Sequence, residues 1–161
     1  NQEDDGRTRD LSVDSQVFEY REHPDYPGWH MWRLRDETRF NGVVMGELIT
    51  RVEGNKCRLR MFPERKHTNL QEMIHGAITL SLIDISLFSA MRTLTTGDPG
   101  PAVTLELSTQ FIGAGKPGEP LDSVVEIVGE TGRLLFLRGE VVQEDHLVAA
   151  FSGMVRKASK R

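Results

Sequence analysis

The chain has 161 residues and a formal net charge of −4 at pH 7, with 20 Lys and Arg against 24 Asp and Glu. This length suffices for one domain with a hydrophobic core. The mild charge, without a concentrated basic patch, gives no indication of nucleic-acid binding. Cys57 is the only cysteine, which excludes an intrachain disulfide and is typical of a reducing compartment. We therefore expect a cytoplasmic, single-domain protein.

The first 42 residues are predicted to lie outside this domain. Residues 1–12 are polar and acidic without an apolar stretch, which predicts a disordered tail and no signal peptide. Residues 13–42 form an N-terminal arm that contains Trp29 and Trp32. Because these large apolar side chains are unfavourable in water, we expect residues 29–35 to pack on the domain or across a subunit interface. The domain itself is predicted to span residues 43–157.

The domain begins with the pattern of a β-hairpin. Residues 43–52 are strand-like, and residues 53–56 have the composition of a turn. The second strand alternates between apolar and basic side chains, with Cys57, Leu59 and Met61 on the apolar face. This alternation predicts a hairpin with one buried face.

A long apolar segment, residues 68–94, follows the hairpin. Between Met73 and Met91 its only unambiguous charge is Asp84. A helix that is apolar all round is buried in a core or in a membrane, and this one is long enough for either. The central acid and the surrounding amphipathic strands favour a core helix. A carboxylate there is costly unless it is paired, so Asp84 is either a satisfied structural acid or a catalytic group.

Four further strands are predicted after a Gly- and Pro-rich breaker at residues 97–101. In the first of them, Val103, Leu105 and Leu107 alternate with polar residues and are expected to share one face. The remaining strands are expected at residues 121–128, 134–142 and 147–155. A hairpin, one buried helix and four antiparallel strands predict an α+β domain in which a curved antiparallel sheet wraps around one long buried helix.

The spacing of His75 and Asp84 restricts how they can share a site. Nine residues separate them, which in one straight helix is ~900° of rotation and roughly 13 Å along the axis. Their side chains would therefore point to opposite sides. If both are functional, the helix start of one subunit must combine with the helix middle of another. We therefore predict a two-fold homodimer with two composite sites.

The order of elements and the residues at the helix start resemble the hotdog fold, and within it the PaaI-like branch of acyl-CoA thioesterases. The family pattern is an Asn, a Gly three positions later, His-Gly-Gly, an Asp nine positions after the His, and a Ser or Thr on the next strand. This chain carries Asn69, Glu72, His75-Gly76-Ala77, Asp84 and Thr104 at those places. Glu72 and Ala77 depart from the pattern. A Glu would be strained if the loop requires a positive φ there.

The resemblance implies hydrolysis of an acyl-CoA thioester to acid and CoA, without a metal or a bound cofactor. It assigns the carboxylate that activates water or attacks the carbonyl to Asp84, and the oxyanion donor to the backbone amide of Gly76. Asn69 would position the water or the thioester. Thr104 would orient Asp84 by a hydrogen bond, and His75 would support the loop and polarise the carbonyl. A purely structural role for His75 stays open.

The remaining motifs give weaker indications of function. Lys116 and Arg133 are candidates for contacting the phosphates of CoA. The segment from Gly113 to Gly118 matches G-x-G-x-x-G, but it contains a proline and leads into a strand rather than a helix, so it is not a dinucleotide loop. Asn69 with Glu72 resembles a capping box. A helix that started there would use the Gly76 amide in a helical hydrogen bond, so it could not be an oxyanion donor. We favour a helix start near His75. The histidines show no metal-ligand spacing.

Two other functions are compatible with this sequence. A hotdog domain could bind acyl-CoA without turning it over, as a sensor or an accessory subunit. A hotdog hydratase or dehydratase ranks lower, because its His and Asp pairing is not recognisable here. In each case we expect the partners to be acyl-CoA and a second copy of the chain, as a homodimer or a dimer of dimers, and neither nucleic acid nor a membrane.

Overall fold

One long helix packs against an antiparallel sheet in the computed structural model, which describes residues 17–96 and 101–158. The helix α1 is Gly76–Leu94. The strands are β1 Phe18–Glu19, β2 His30–Met31, β3 Arg33–Leu34, β4 Leu48–Glu53, β5 Lys56–Met61, β6 Val103–Phe111, β7 Leu121–Glu130, β8 Leu134–Gln143 and β9 His146–Arg156. Seven of them form one sheet in the order β2-β4-β5-β7-β8-β9-β6, and β1 pairs with β3 separately. The predicted α+β fold is confirmed.

The helix α1 supplies the centre of the core. Its side chains at Leu82, Ile83 and Leu87 are fully buried, and its main neighbours are β5 and β7. By length and composition α1 could also cross a membrane, but here its buried side faces the sheet. Leu80 and Asp84 lie on the opposite, less buried side. Residues 97–100 of the predicted breaker lie outside the described part of the chain.

The hairpin forms as predicted, from β4 and β5 with a two-residue turn. Gly54, in this turn, has a φ of 62°, a conformation that glycine adopts without strain. On β5 the side chains of Cys57, Leu59 and Met61 are 0% exposed. The predicted buried face of the hairpin is therefore confirmed.

The prediction of a strand from residue 43 is wrong at its beginning. Asn41–Met45 is a single helical turn, and the strand starts only at Leu48. The amide of Gly46 closes the turn on the Asn41 carbonyl at 3.1 Å, with Gly46 at a φ of 73°. A distant side chain also holds the turn, because a ring nitrogen of His67 lies 2.5 Å from the Val44 carbonyl. Such a long-range bond overrides the strand preference of the two valines.

The prediction that Val103, Leu105 and Leu107 share one face is also wrong. The pairing of β6 with β9 skips one residue between Thr104 and Glu106, so Leu105 bulges out of the ladder. An extra residue in one strand reverses the facing of everything after it. Val103 and Leu105 are consequently 45% and 47% exposed, whereas Leu107 packs against the core. The strand β6 is the last of the sheet, so its outer edge has no strand partner within residues 17–96 and 101–158.

The N-terminal arm packs on the domain, as predicted from its tryptophans. Trp29 and Trp32 are only 6% and 4% exposed, and His30 and Met31 pair with β4. The Trp29 ring contacts the guanidinium groups of Arg51 and Arg60. Burial in the arm raises the pKa of Tyr20 to about 12. The predicted disordered tail, residues 1–12, lies outside the described residues.

Candidate functional site

The loop before α1, residues 68–75, is here called the helix-start loop. Its conformation depends on Asn69, whose side-chain oxygen accepts hydrogen bonds from the amides of Gln71 at 2.9 Å and Met73 at 3.2 Å. The Asn69 amide in turn donates to the Met73 carbonyl at 2.8 Å. The Asn69 oxygen is therefore used to close the loop, and only its side-chain NH₂ is left for a substrate or water.

Glu72 occupies the loop position at which the family pattern has glycine. Its φ is 61°, so this loop does require a positive φ at the position of the family glycine. The left-handed conformation costs a residue with a side chain roughly 1–2 kcal/mol. The loop nevertheless keeps its shape, because the Glu72 amide donates to the Asn69 carbonyl at 3.0 Å. The side chain of Asn69 holds the same turn through its bonds to the Gln71 and Met73 amides.

The start of α1 presents an unused backbone amide. His75 is the N-cap, and its Nδ1 accepts a hydrogen bond from the Ala77 amide at 2.9 Å. The helix therefore begins at Gly76, as favoured by the sequence, and not at Asn69. The Gly76 amide has no acceptor among the described residues. Because it lies in the positive first turn of a helix, it is suited to bind a developing negative charge.

Asp84 and Thr104 form a hydrogen-bonded pair in the middle of the helix. The Thr104 hydroxyl donates to Oδ1 of Asp84 at 2.7 Å, which is the bond that the family resemblance implied. Oδ2 of Asp84 has no donor within residues 17–96 and 101–158. The carboxylate is half-buried and opens on a cleft of about 480 Å³. The cleft is lined by Phe40, Asn41, Leu80, Ser81, Asp84, Ile85 and Leu107.

The structure does not bring these two groups together within one chain. Asn69, His75 and Gly76 cluster at the helix start, whereas Asp84 and Thr104 lie further along α1. Eight residues separate Gly76 from Asp84 on the helix, which is roughly 12 Å along its axis. Neither Gly76 nor His75 lines the cleft of Asp84. The chain thus carries two half-sites, the helix-start loop with Gly76 and the Asp84–Thr104 pair.

Three residues beside Asp84 were not found from the sequence. Ser81 lies three positions before Asp84 on the same helix face, so helical spacing could have revealed it. Phe40 and Asn41 come from the helical turn that was predicted to be strand, and no local signal places them at the helix. Asn41 is half-buried, and its carboxamide has no hydrogen-bond partner in the part of the chain that the structure describes.

Gly115 allows a neighbouring segment to pack closely against the helix-start loop. The Gly115 carbonyl accepts a hydrogen bond from the Ile74 amide at 2.8 Å. A Cβ on Gly115 would lie only 2.9 Å from the Ile74 side chain, so the two segments approach each other closely. The Gln143 side chain anchors the same connection through the amide and the carbonyl of Lys116. The G-x-G-x-x-G segment is therefore a support for the loop and precedes a strand.

The two candidate phosphate contacts lie far apart in one subunit. Lys116 is exposed next to the C-terminal end of β8, where Gln143 holds its backbone. Arg133 is exposed in the turn before β8. The ten residues of β8 span roughly 33 Å. Lys116 is on the side of the helix-start loop, and the two cations cannot contact one phosphate group within a chain.

Metal ligation has no obvious place in this geometry. Among residues 17–96 and 101–158, no group of three or more His, Cys, Asp or Glu side chains is arranged to hold a metal ion. Cys57, the only cysteine, is buried in the core. The groups that this site does offer for chemistry are the Asp84 carboxylate, the Gly76 amide and the polar side chains near them.

A long buried helix packed on an antiparallel sheet, in this strand order and with a capped helix start facing a loop, defines a hotdog-fold protein. The sequence profile of the Thioesterase superfamily matches residues 71–150, which include the helix, part of the helix-start loop and most of the sheet. The chain belongs to this superfamily and is PaaI-like. No curated protein sequence matches it.

Solved structures agree with this assignment. A mutant of the phenylacetic acid degradation protein PaaI from Thermus thermophilus is 25% identical with a TM-score of 0.60, over 69% of this chain and 93% of that one. PaaI from E. coli is 19% identical with a TM-score of 0.58, over 65% and 74%. Zebra fish thioesterase superfamily member 2 is 20% identical with a TM-score of 0.65, over 76% and 89%. At these low identities, the similarity to the last two structures supports the fold only.

Proposed function

We propose that the protein is an acyl-CoA thioesterase, which hydrolyses an acyl-CoA to the free acid and CoA. The observation that carries the proposal is the complementarity of the two half-sites. One offers the Asp84 carboxylate, whose Oδ1 is oriented by the Thr104 hydroxyl at 2.7 Å and whose Oδ2 has no donor among the described residues. The other offers the Gly76 amide in the first turn of α1, which has no acceptor among the described residues. Thioester hydrolysis needs a general base or nucleophile together with an oxyanion donor.

In the proposed reaction, Oδ2 of Asp84 removes a proton from a water as the water attacks the thioester carbonyl. The carbonyl oxygen becomes an oxyanion and is stabilised by the Gly76 amide, a kind of contact worth roughly 10²–10³ in turnover. The C–S bond then breaks, and the CoA thiolate leaves and takes up the proton. Asp84 acting directly as the nucleophile would use the same carboxylate and the same amide.

The proposal requires two subunits, because one chain holds the half-sites apart. A two-fold axis would place the helix start of each subunit near Asp84 of its partner and create two identical sites. The free edge of β6 supports this assembly, since an unpaired strand edge is a ready surface for another copy of the chain. Exposed apolar side chains lie on and near the same edge, namely Leu80, Val103, Leu105, Phe111 and Ile112. We propose a homodimer, alone or within a dimer of dimers.

The cleft beside Asp84 indicates an apolar acyl group. Its walls include the side chains of Phe40, Leu80, Ile85 and Leu107. Such a surface binds hydrocarbon through burial of apolar area, with few polar groups to fix its orientation. The acyl portion would therefore lie in this cleft, with the thioester directed toward Asp84.

Release of free thiol from a panel of acyl-CoA substrates tests the proposal. We expect turnover of at least one member that carries an apolar acyl group, and its loss in the Asp84→Asn variant. A protein that binds acyl-CoA but releases no thiol from any member would contradict the enzymatic interpretation. That result would favour the alternative of an acyl-CoA-binding hotdog protein without turnover.

A further inference from the structure

His67 is a buried histidine that the proposed reaction does not use. His67 is only 1% exposed, and both nitrogens of its ring make hydrogen bonds. Nδ1 accepts a hydrogen bond from the Glu64 amide at 2.8 Å. The proton is therefore on Nε2, which donates to the Val44 carbonyl at 2.5 Å. A neutral imidazole in this one tautomer satisfies both contacts, and a ring protonated at both nitrogens could not accept from Glu64.

The contacts of His67 reach both half-sites. Val44 belongs to the helical turn Asn41–Met45, and Asn41 in this turn lines the cleft of Asp84. On the other side, the backbone carbonyl of His67 accepts a hydrogen bond from the His75 amide at 2.8 Å. His75 caps the helix next to the free Gly76 amide. One residue therefore connects the wall of the Asp84 cleft with the helix start.

We propose that His67 is a positioning residue of the thioesterase site, which sets the helix start and the Asn41–Met45 turn at a fixed distance from each other. This inference rests on the proposed function. In a composite site, the helix start of one subunit and the turn of the same subunit belong to two different active sites. The contact between them would thereby couple the geometry of the two active sites of the dimer.

Burial makes the contact effective. His67 is almost fully buried, whereas Val44 is half-buried. Water has little room to take the place of the buried Nε2 donor, so loss of the ring weakens the contact to the Val44 carbonyl. The neighbouring Lys66 also donates to the turn, to the Val43 carbonyl at 3.3 Å. That side chain is exposed and also pairs with Glu64, so water can replace its contact. Of these two side-chain contacts to the turn, the one from His67 is the better protected from water.

His23 provides a matched control. It is 7% exposed, its Nδ1 accepts from the Asp25 amide at 3.0 Å, and its Nε2 lies 2.9 Å from a Glu47 carboxylate oxygen. The Nδ1 contact is of the same kind as at His67, but Nε2 faces a carboxylate instead of a backbone carbonyl. His23 lies in the arm and, among the described residues, has no bond to the helix-start loop. A variant at His23 therefore measures the cost of removing a buried histidine without touching the link between the half-sites.

Two variants at His67 separate its contacts. His67→Asn keeps an acceptor for the Glu64 amide but cannot reach the Val44 carbonyl. His67→Gln can place an NH₂ near the position of Nε2 and keep the donor to Val44. With a turned-over acyl-CoA, we expect kcat of His67→Asn to fall by roughly ten- to hundredfold, because small displacements of reacting groups cost that much. We expect His67→Gln to recover most of this loss and His23→Asn to stay within twofold of the wild type.

Amide hydrogen exchange tests the link without relying on activity. In His67→Asn, we expect the Gly46 and His75 amides to exchange at least tenfold faster than in the wild type, and no such change in His23→Asn. Similar kcat and similar exchange in the two Asn variants would overturn the proposal. If no acyl-CoA is turned over, the proposed function fails, and the exchange rates alone decide whether His67 couples the two segments.

Discussion

The two half-sites are built in different ways. The Asp84–Thr104 pair joins a helix to a strand, and both elements are fixed by the core. The helix-start loop is irregular and is held by side chains and by close approach, with Asn69 closing it and Gly115 behind it. The carboxylate thus has a rigid frame, whereas the oxyanion donor depends on local loop geometry. Substitutions should therefore affect chemistry at the first half-site and conformation at the second.

The largest effect is expected from Asp84→Asn. The substitution is nearly isosteric, so packing and dimerisation should be almost unchanged, but the base is removed. We expect kcat to fall by roughly 10²–10⁴, with little change in KM, because the carboxylate acts mainly in the transition state. Steady-state kinetics and thermal unfolding check this. A lower melting temperature with turnover within a few-fold would show that Asp84 is a structural acid.

Thr104→Val should have a smaller effect at the same half-site. It removes the hydroxyl that orients Oδ1 of Asp84 at 2.7 Å. Because a hydrogen bond to a charged group is worth about 1.5–3 kcal/mol, kcat should fall by about ten- to hundredfold. Thr109→Val on the same strand is the control, since the buried Thr109 hydroxyl has no hydrogen-bond partner in the described part of the chain. The control should retain full turnover; equal losses in both variants would assign the effect to β6 packing.

Glu72→Gly should produce the smallest effect, at the other half-site. Glycine adopts the φ of 61° found at Glu72 without strain, so we expect a gain of up to about 1 kcal/mol in the free energy of unfolding. Turnover should change by less than threefold, since the loop already has its functional shape. Glu144→Gly, at a φ of 51° in the β8–β9 turn, is the matched control, because it relieves the same backbone conformation outside the helix-start loop. A large rise in kcat for Glu72→Gly alone would mean that Glu72 distorts the oxyanion donor.

The sequence predicted the fold where local patterns dominate. The apolar run of α1 and the alternation on β5 are strong signals, and Gly54 marks the hairpin turn. The prediction failed where long-range contacts decide. The valines at 43 and 44 favour a strand locally, but Gly46 and the bond from His67 hold a helical turn. The bulge at Leu105 leaves no mark in the sequence either, because a period-two pattern looks the same on both sides of it.

Residue identities in the candidate site came from the family pattern, and their geometry came from the structure. The spacing of His75 and Asp84 was enough to infer two separate half-sites. The hydrogen bonding of Asn69, the capping by His75 and the presence of Asn41 beside Asp84 depend on loop conformation, which sequence spacing does not determine. A lone histidine such as His67 carries no sequence signal at all, since its importance follows only from its burial and its partners.

Subunit complementation tests the composite site most directly. Asp84→Asn disables one half-site, and Asn69→Ala opens the helix-start loop of the other. When the two proteins exchange subunits freely, each mixed dimer should contain one intact site and one doubly defective site. We therefore predict recovery of about one quarter of the wild-type activity at statistical exchange. Activity that stays at the level of the separate variants, despite demonstrated subunit exchange, would contradict a site shared between two chains.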